Sequence, residues 1–576
     1  MRKKIWLGFV WILSLMSIFT AHSSMMPRYS IEDLPKPLSA LDIHRYKTAI
    51  KLQQNRHWGA ASYVLASAEN NLLRPWMDFY AYSHLSDSQG SYNDLNWFIK
   101  AYPEHPKIED IYKKAQRLRR PSDSKLNPLN SKKINLKLPP SKEAPKRMQV
   151  ERTAQQRQKA AEVKRRAEAY LRDSNYIAAE KLILSGESLS SLSFYEADEL
   201  FVEISRFLFN EGKDDEVMSL AAQVAERNGD YFGEAWWLAG LSAWRKQDYE
   251  RARSYFAEIT KRPWLHENLV YGAYFWQARS NFMLLDYDNW QQNLIKASKN
   301  SNNFYGLLAG ETLGRLYSYN KSARIVRLKE LFETTEGQRF LALMQLGQIN
   351  WAKDELLAFV EKSSAQDRMI LLWMASEIGW LDLVYKESEK LKNYDMNIIL
   401  SLPRMPKDWV PPSGMVLDEA LTLAVIQKES RFNENARSHA GALGLMQVTP
   451  QTKIQTKKVY DITKTYNLKI ARDNVFIGQR YMNYLLSQGS FNDNLFFTLA
   501  AWNAGPTKSR RWLNETWRLA KDPIFWVESI PVRETRLYVK EVSANLWRYR
   551  YRLGQQAATL EAITQGYEPI YNNMDP

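Results

Sequence analysis

The sequence predicts an all-α protein in which an α-helical solenoid precedes a second helical domain. The chain has 576 residues, which is enough for several domains, and its hydrophobic fraction of 45% allows a large core. Its 23 glycines and 22 prolines are too few for the many turns of β-sandwiches and barrels. Apolar residues instead recur at spacings of three and four, the period of one helix face.

The first residues are typical of a secretory signal peptide. Arg2, Lys3 and Lys4 precede an apolar run at residues 5–20, and small residues follow up to Ser23. The run is shorter than the roughly 20 residues that a membrane-spanning helix needs, although an uncleaved anchor helix stays an alternative. We therefore assign residues 1–23 to a signal peptide. We expect a periplasmic protein with no stable membrane anchor after cleavage.

The cysteine count and the distribution of charge exclude several kinds of site and partner. The chain has no cysteine, which excludes a lipidated N-terminal cysteine, disulfides and thiolate metal sites, and its seven histidines give little support to a zinc site. We expect no metal and no cofactor. The net charge is +15, but residues 117–152 hold eleven Lys/Arg against three Asp/Glu, a net of +8. Because this charge sits on an exported linker, we expect no nucleic-acid partner.

Three segments follow the signal peptide. Residues 24–120 show helical patterning, residues 121–150 form a basic linker with five prolines, and residues 151–405 are predicted to form the solenoid. An aromatic, a small and a large apolar residue recur at i, i+3 and i+7, which places them on one helix face. The triplets are Trp58/Ala61/Leu65, Tyr176/Ala179/Ile183 and Tyr249/Ala252/Phe256, the last preceded by Trp236 and Gly240. They loosely match tetratricopeptide helix pairs, and such a solenoid offers a concave surface for a polymer.

A proline-rich boundary introduces the most informative helix. Residues 402–414, "LPRMPKDWVPPSG", contain four prolines in ten residues, and "DEALTLAVIQKES" follows at 418–430. Leu421, Val425 and Glu429 lie at i, i+4 and i+8, so Glu429 shares the apolar stripe at the helix C-terminus. Desolvation and the helix dipole both raise the pKa of such a carboxyl, as a general acid requires. A buried, hydrogen-bonded structural glutamate is the alternative.

The residues after Glu429 suit a sugar polymer. Gly441 and Gly444 predict a tight loop whose backbone approaches a ligand closely. Neutral hydrogen-bonding groups and flat aromatic faces, both suited to sugars, follow in the sequence: Ser438, Gln447 and Asn503, then Tyr481, Trp502, Trp512 and Tyr538. No glycine-rich phosphate loop with a lysine is present.

Three stretches resemble the motifs of the soluble lytic transglycosylases, which cleave bacterial peptidoglycan. They are "ESRFNENARSHAGALGLMQVTPQT", "AAWNAGP" and "ESIPVRETRLYV", in the family's order and spacing; "FYGLLAGETLG" at 304–314 resembles a segment near the end of its superhelix. The resemblance spans residues 230–550 and is strongest from 415. It implies a helical superhelix and a lysozyme-like, goose-type catalytic domain at 413–555, followed by a C-terminal tail at 556–576.

The resemblance also implies site residues. Glu429 matches the single catalytic acid, and the predicted substrate-binding residues are Ser438, Met446, Gln447, Trp502, Asn503, Glu534 and Tyr538. Three positions depart from the family pattern: Trp502 stands where tyrosine is usual, Glu434 where proline is common and Val532 where phenylalanine is common. The tryptophan keeps a stacking face and replaces the hydroxyl with an N–H donor.

The implied activity is cleavage of the β-1,4 bond after N-acetylmuramic acid, giving a 1,6-anhydro end without water, with peptidoglycan glycan strands as the partner. Two other functions remain open. A lysozyme-type hydrolase shares the fold and the acid, and it would need a second carboxylate such as Asp473, Asp493 or Glu528. A non-enzymatic wall-binding scaffold would use the solenoid alone and would not need Glu429.

Overall fold

The computed structural model describes residues 34–85, 91–129, 145, 152–173, 175–314, 321–389, 402, 404–520 and 522–573. The predicted signal peptide and most of the predicted linker lie outside these residues. Within the described ranges the structure is helical and contains no strand, which confirms the all-α prediction. In these ranges no helix combines the length and the apolar character that crossing a membrane requires.

The N-terminal helical segment contains five helices. Serine side chains cap two of them: Ser39 accepts a hydrogen bond from the Asp42 amide, and Ser91 accepts one from the Asp94 amide. The helices are α1 (Ala40–Gln54), α2 (Trp58–Ala66), α3 (Arg74–His84), α4 (Tyr92–Ala101) and α5 (Ile108–Leu118).

The solenoid is built from consecutive helices that pack against their neighbours in sequence. They are α6 (Ala154–Arg172), α7 (Tyr176–Ile183), α8 (Gly186–Ser191), α9 (Phe194–Asn210), α10 (Asp214–Asn228), α11 (Gly233–Arg245), α12 (Tyr249–Thr260), α13 (Glu267–Met283), α14 (Tyr287–Ala297), α15 (Phe304–Thr312), α16 (Lys321–Glu333), α17 (Thr335–Gln345), α18 (Ile349–Lys362), α19 (Ala365–Glu377) and α20 (Leu381–Glu389). The predicted solenoid is therefore confirmed.

The predicted aromatic triplets mark the starts of helices. Trp58, Tyr176 and Tyr249 are the first residues of α2, α7 and α12, and the small and large apolar members that follow them are buried. Gly240 explains the close packing of α11 on α12, because a Cβ at this position would lie 2.7 Å from the Phe256 ring. The bulky ring thus fills the space that glycine leaves.

The N-terminal helices pack against the far end of the solenoid. Residues of α1 and α3 share one hydrophobic core with α16–α20, although about 250 residues separate them in sequence. The buried Glu355 joins the two parts: its carboxylate accepts hydrogen bonds from Trp76 Nε1 at 2.8 Å and from Arg339 Nε at 2.7 Å. The first helices of the chain therefore contact the last helices of the solenoid.

The C-terminal domain follows a short 3₁₀ turn at Lys407–Trp409. Its helices are α21 (Glu419–Glu429), α22 (Pro450–Val459), α23 (Ala471–Leu486), α24 (Leu495–Ala504), α25 (Pro506–Ala520), α26 (Pro523–Ser529), α27 (Arg533–Leu553) and α28 (Ala558–Thr564). The residues assigned to a tail are folded onto this domain, because the Tyr571 amide donates to the Asp493 carbonyl and the Leu495 amide donates to the Pro569 carbonyl.

The solenoid and the C-terminal domain share one continuous hydrophobic core. Glu528, at the end of α26, joins them: its carboxylate accepts hydrogen bonds from Tyr305 and from Trp237 Nε1, both in the solenoid, and pairs with Lys540 of α27 at 2.9 Å. Burial alone would raise the pKa of Glu528, but the charge and hydrogen bonds of Lys540 and Tyr305 hold the pKa at about 2.

Folding lowers the pKa of Glu528, so the Glu528–Lys540 pair stabilises the folded state at pH values above the ordinary glutamate pKa. That contribution disappears as the pH falls from about 4 towards 2.

We predict that Lys540→Met lowers the free energy of unfolding at neutral pH by about 3–5 kcal/mol, because it leaves the buried Glu528 carboxylate without its cation. Lys246→Met is the matched control, since Lys246 pairs with Asp215 at the surface and such pairs contribute about 0–1 kcal/mol. Urea unfolding measures both. Equal losses in the two variants would contradict the role of Glu528 as a buried junction.

Candidate active site

Glu429 is the last residue of α21, and the chain turns sharply after it. Asp418 caps the start of this helix through a 2.7 Å hydrogen bond from the Leu421 amide. Arg431 and Phe432 then adopt positive φ angles of 53° and 64°, although neither is glycine. Each such residue costs on the order of 1–3 kcal/mol, so the surrounding packing must hold this turn in place. The helix end and the turn together fix the position of the Glu429 carboxyl.

Two donors from different helices bind the same oxygen of Glu429. Trp502 Nε1 on α24 and the Tyr538 hydroxyl on α27 each donate to Glu429 Oε1 at 2.7 Å. Oε2 receives no hydrogen bond from the described residues. The carboxyl is therefore held by one oxygen and has its second oxygen available for proton transfer.

Burial raises the pKa of Glu429 above its usual value, because little water reaches the charged form. The hydrogen bonds from Tyr538 and Trp502 favour the carboxylate and lower the pKa, as does the nearby charge of Lys428, but they offset the effect of burial only in part. Glu534 adds a small increase by repulsion. The sequence-based prediction of a raised pKa agrees with this direction.

Asn503 follows Trp502 on α24, and Glu534 lies on α27, the helix that also carries Tyr538. The Thr535 hydroxyl donates to Asn503 Oδ1 at 2.6 Å, which fixes the amide and leaves its NH₂ group without a partner among the described residues. Glu534 is exposed and acts on Glu429 through its charge. Three of the predicted site residues, Trp502, Glu534 and Tyr538, thus act directly on Glu429. Asn503 is hydrogen-bonded to Thr535, which lies next to Glu534 on α27.

The glycine loop holds the other three predicted residues. The Ser438 hydroxyl accepts a hydrogen bond from the Ala442 amide at 3.0 Å, and Gln447 Nε2 donates to the Gly444 carbonyl at 2.8 Å. Met446 is fully buried and packs on Gly478 of α23. Among the described residues, none of these three side chains forms a hydrogen bond with Glu429.

The loop is connected to Glu429 through α23. Tyr481 lies almost one turn after Gly478, and its ring is 5.7 Å from the ring of Trp502, which binds Glu429. Gly444 has a φ of 70°, and a Cβ there would lie 2.5 Å from Asn474 Nδ2, so glycine is required.

The prediction that four aromatic rings offer flat faces to sugars is wrong for three of them, Tyr481, Trp512 and Tyr538. Tyr538 and Trp512 are each only 2% exposed, so protein atoms already cover their faces. Tyr481 is 7% exposed, whereas Trp502 is only partly buried. Periodicity alone could not separate these cases, because core packing and sugar stacking select the same residue types.

Two of the three carboxylates suggested for a second catalytic role, those of Glu528 and Asp473, have other partners. Glu528 is buried in the junction with the solenoid. Asp473 accepts a hydrogen bond from the Asn467 amide at 2.9 Å. The Asp493 side chain is exposed, and its backbone carbonyl accepts a hydrogen bond from the Tyr571 amide. Among the carboxylates of the described chain, Glu534 is the one that perturbs the pKa of Glu429.

Sequence reasoning missed two residues that position the site. Thr535 orients Asn503, and its only signal was its place inside the third motif. Asn474 is fully buried and donates to the Leu443 carbonyl at 2.7 Å while accepting from the Met446 amide at 2.8 Å, which anchors the glycine loop. Nothing in the local sequence pattern marked it. Glu434 also has a role, since it accepts a hydrogen bond from Trp409 Nε1 at 3.0 Å.

A cavity of about 410 Å³ is lined by residues of both the solenoid and the C-terminal domain. Its walls include Asn300, Tyr385, Lys428 and Arg548, but not Glu429. Within the described residues, no group of three or more His, Asp or Glu side chains is placed to hold a metal ion.

Comparison with known proteins gives three findings. Residues 414–525 match the model of the Transglycosylase SLT domain. The chain is 31% identical over 271 residues to the soluble lytic murein transglycosylase of Escherichia coli K12, covering 46% of this chain and 41% of that protein. It is 30% identical over 295 residues to the enzyme of the same name from Salmonella typhimurium LT2, covering 50% and 44%. The matches span less than half of the length of these relatives.

The third finding concerns the fold. The structure of the lytic transglycosylase Slt from Pseudomonas aeruginosa, an inactive mutant, aligns with 90% of this chain and 88% of its own, with a TM-score of 0.50 and 18% identity. The similarity supports a common helical fold.

We predict that Trp502→Phe moves the alkaline limb of the profile of kcat/KM against pH to higher pH. The substitution keeps a flat ring but removes the donor to Glu429 Oε1, so the carboxylate is less stabilised and its pKa rises. A general acid with a higher pKa stays protonated to higher pH.

Trp502→Tyr is the matched control, because tyrosine keeps both an aromatic ring and a hydrogen-bond donor. The alkaline limb of its pH profile should stay closer to that of the wild type. Trp502→Ala should also weaken substrate binding by roughly 1–3 kcal/mol through lost apolar contact. Identical pH profiles for the phenylalanine and tyrosine variants at full folding would contradict the donor role.

Proposed function

We propose that the chain is a peptidoglycan lytic transglycosylase, because residues 414–525, which hold Glu429, match the Transglycosylase SLT domain. It cleaves the β-1,4 bond between N-acetylmuramic acid and N-acetylglucosamine and leaves a 1,6-anhydro-N-acetylmuramic acid end. Glu429 acts as the single acid and base. No cofactor takes part in this reaction.

One observation carries the proposal: the Glu429 carboxyl has a raised pKa, and its two hydrogen bonds are both on Oε1. The raised pKa favours the protonated form of the carboxyl, and because both hydrogen bonds are on Oε1, Oε2 is left to carry the proton. A structural glutamate would gain nothing from this arrangement. A buried ion pair of the Glu528 kind lowers the pKa instead.

The first step breaks the glycosidic bond. Glu429 Oε2 gives its proton to the glycosidic oxygen, and N-acetylglucosamine leaves as the neutral alcohol. The acetamido oxygen of the muramic acid donates electron density to the anomeric carbon as the bond breaks. The carboxylate that remains is stabilised by Trp502 and Tyr538, both of which already donate to Oε1.

The second step closes the ring. Glu429, now a carboxylate, takes the proton of the muramic acid 6-hydroxyl, and the oxygen attacks the anomeric carbon and displaces the acetamido oxygen. The proton returned to Glu429 equals the proton given in the first step, so no water is consumed. The reaction therefore depends on excluding water from the anomeric carbon.

The remaining site residues bind substrate in this proposal. Asn503, whose NH₂ group has no partner among the described residues, donates to a sugar or acetamido oxygen. Ser438 and Gln447 offer polar groups from the glycine loop, and the exposed part of Trp502 supplies a stacking face. The buried Met446 and Tyr538 act by supporting the loop and Glu429.

The glycan strand is the partner of the whole chain, and the solenoid offers a long surface for it. We propose that the protein works in the periplasm, exported by residues 1–23 and without a stable membrane anchor. The basic linker at 121–150 links the N-terminal helices to the solenoid without taking part in the chemistry.

We predict that Glu429→Gln lowers turnover at least about 10²–10⁴-fold, because glutamine keeps the shape but cannot cycle a proton. Binding to purified cell wall should persist. Glu434→Gln is the matched control: it makes the same change five residues away, where the side chain contacts Trp409, and should keep most of the activity. Substantial activity in Glu429→Gln would remove this residue from the acid role.

We predict that digestion of purified peptidoglycan yields muropeptides with anhydro ends, each lighter by one water than a reducing end, as measured by mass spectrometry. The same products should appear with Glu534→Gln, because the proposed mechanism gives Glu534 an influence on the pKa of Glu429 and no proton transfer of its own. Reducing ends from the wild type, lost in Glu534→Gln, would instead identify a hydrolase that uses Glu534 to activate water.

A further inference from the structure

Helix α22 turns apolar side chains towards solvent. A surface helix usually buries its apolar stripe, but the one fully buried residue of α22 is Thr456, whereas Ile454 is 59% exposed and Val459 is 42% exposed. Single exposed apolar residues are common, but a helix that buries threonine and exposes isoleucine has its polarity reversed.

The following loop extends this surface. Residues 460–470 fold back on α22, because Lys453 Nζ donates to the Tyr466 carbonyl at 3.1 Å and Lys457 Nζ donates to the Thr463 carbonyl at 3.4 Å. The Tyr466 ring stacks on Phe476 of α23 at 4.2 Å, which anchors the loop to the domain. Tyr460 and Ile470 are 36% and 47% exposed. We call residues 451–470 the α22 surface.

The α22 surface is strongly basic. It contains five lysines and no arginine, with Asp461 as its single acidic residue, so its net charge is +4. Lys458, Lys464 and Lys469 are exposed, and none of them forms an ion pair with a described carboxylate. Lysine and exposed aliphatic side chains therefore alternate over one continuous stretch.

We propose that the α22 surface docks the catalytic domain on an anionic phospholipid surface. Aliphatic side chains enter the boundary between headgroups and acyl chains, and lysines reach anionic headgroups with their flexible stems. Sugar rings select aromatic faces, so a glycan strand does not account for Ile454 and Ile470. Protein interfaces are depleted in lysine and enriched in arginine and aromatic residues, the opposite of this composition.

The docking is peripheral and reversible, and it goes beyond the proposed glycosidic cleavage. It requires none of the residues around Glu429, so its test does not depend on activity. Its strength should fall with salt, because attraction between exposed charges is screened.

The test is flotation of the full chain with vesicles of phosphatidylcholine alone or with phosphatidylglycerol added. Two double variants address the surface: Lys458→Glu/Lys469→Glu, which changes its charge from +4 to 0, and Ile454→Ser/Ile470→Ser. Two controls make the same changes on the solenoid, where the residues are also exposed: Lys299→Glu/Lys329→Glu and Ile177→Ser/Leu285→Ser. All five proteins share one N-terminus, so its apolar run contributes equally.

We expect the wild type and both controls to float with the anionic vesicles, and each surface variant to bind them about tenfold or more weakly. Thermal unfolding should show all five folded. Absence of preferential binding to anionic vesicles, or equal losses in the controls, would overturn the proposal. Unchanged vesicle binding together with lost binding to purified cell wall would also overturn it, and would assign the surface to the wall.

Discussion

The hydrogen bonds of Trp502 and Tyr538 to one oxygen of Glu429 are the interaction on which the site depends. The two donors lie on α24 and α27. The carboxyl at the end of α21 therefore keeps its hydrogen bonds only while these three helices keep their relative positions. Burial raises its pKa, and the donors limit the rise. A single carboxyl that must give and then recover a proton needs this balance, because a fully ionised group could not begin the reaction and a fully neutral one could not complete it.

The solenoid supports this geometry and does more than offer a surface. Tyr538 lies on α27 between Thr535, which orients Asn503, and Lys540, which pairs with Glu528. Glu528 is bonded in turn to Tyr305 of the solenoid. The C-terminal domain and the solenoid therefore share a hydrophobic core and a buried ion pair, so a change in one domain should displace the other. The geometry around Glu429 therefore depends on the packing of the solenoid as well as on the C-terminal domain.

The sequence predicted the fold class, the helix triplets and the placement of Glu429 at a helix end, because all three follow from local periodicity and from motifs. It did not reveal that α1–α3 close on α16–α20, since the Trp76–Glu355 contact joins residues 279 positions apart. It also left Glu528 among the candidate catalytic acids, although its neighbours make it a buried junction. Such contacts depend on the whole chain path, which a local pattern does not contain. Trp502 shows the same limit, because a stacking face and an N–H donor were expected, but Glu429 as the acceptor of that N–H was not.

The most direct test of the account is a titration of the Glu429 carboxyl itself. Infrared difference spectra of the wild type against Glu429→Gln, recorded as the pH is varied, isolate the carboxyl band of this one residue. The account predicts that the protonated band persists above the usual glutamate pKa of about 4.3 and disappears in a single step. A carboxyl that titrates at or below that value would contradict it, because the residue would hold no proton to give at neutral pH.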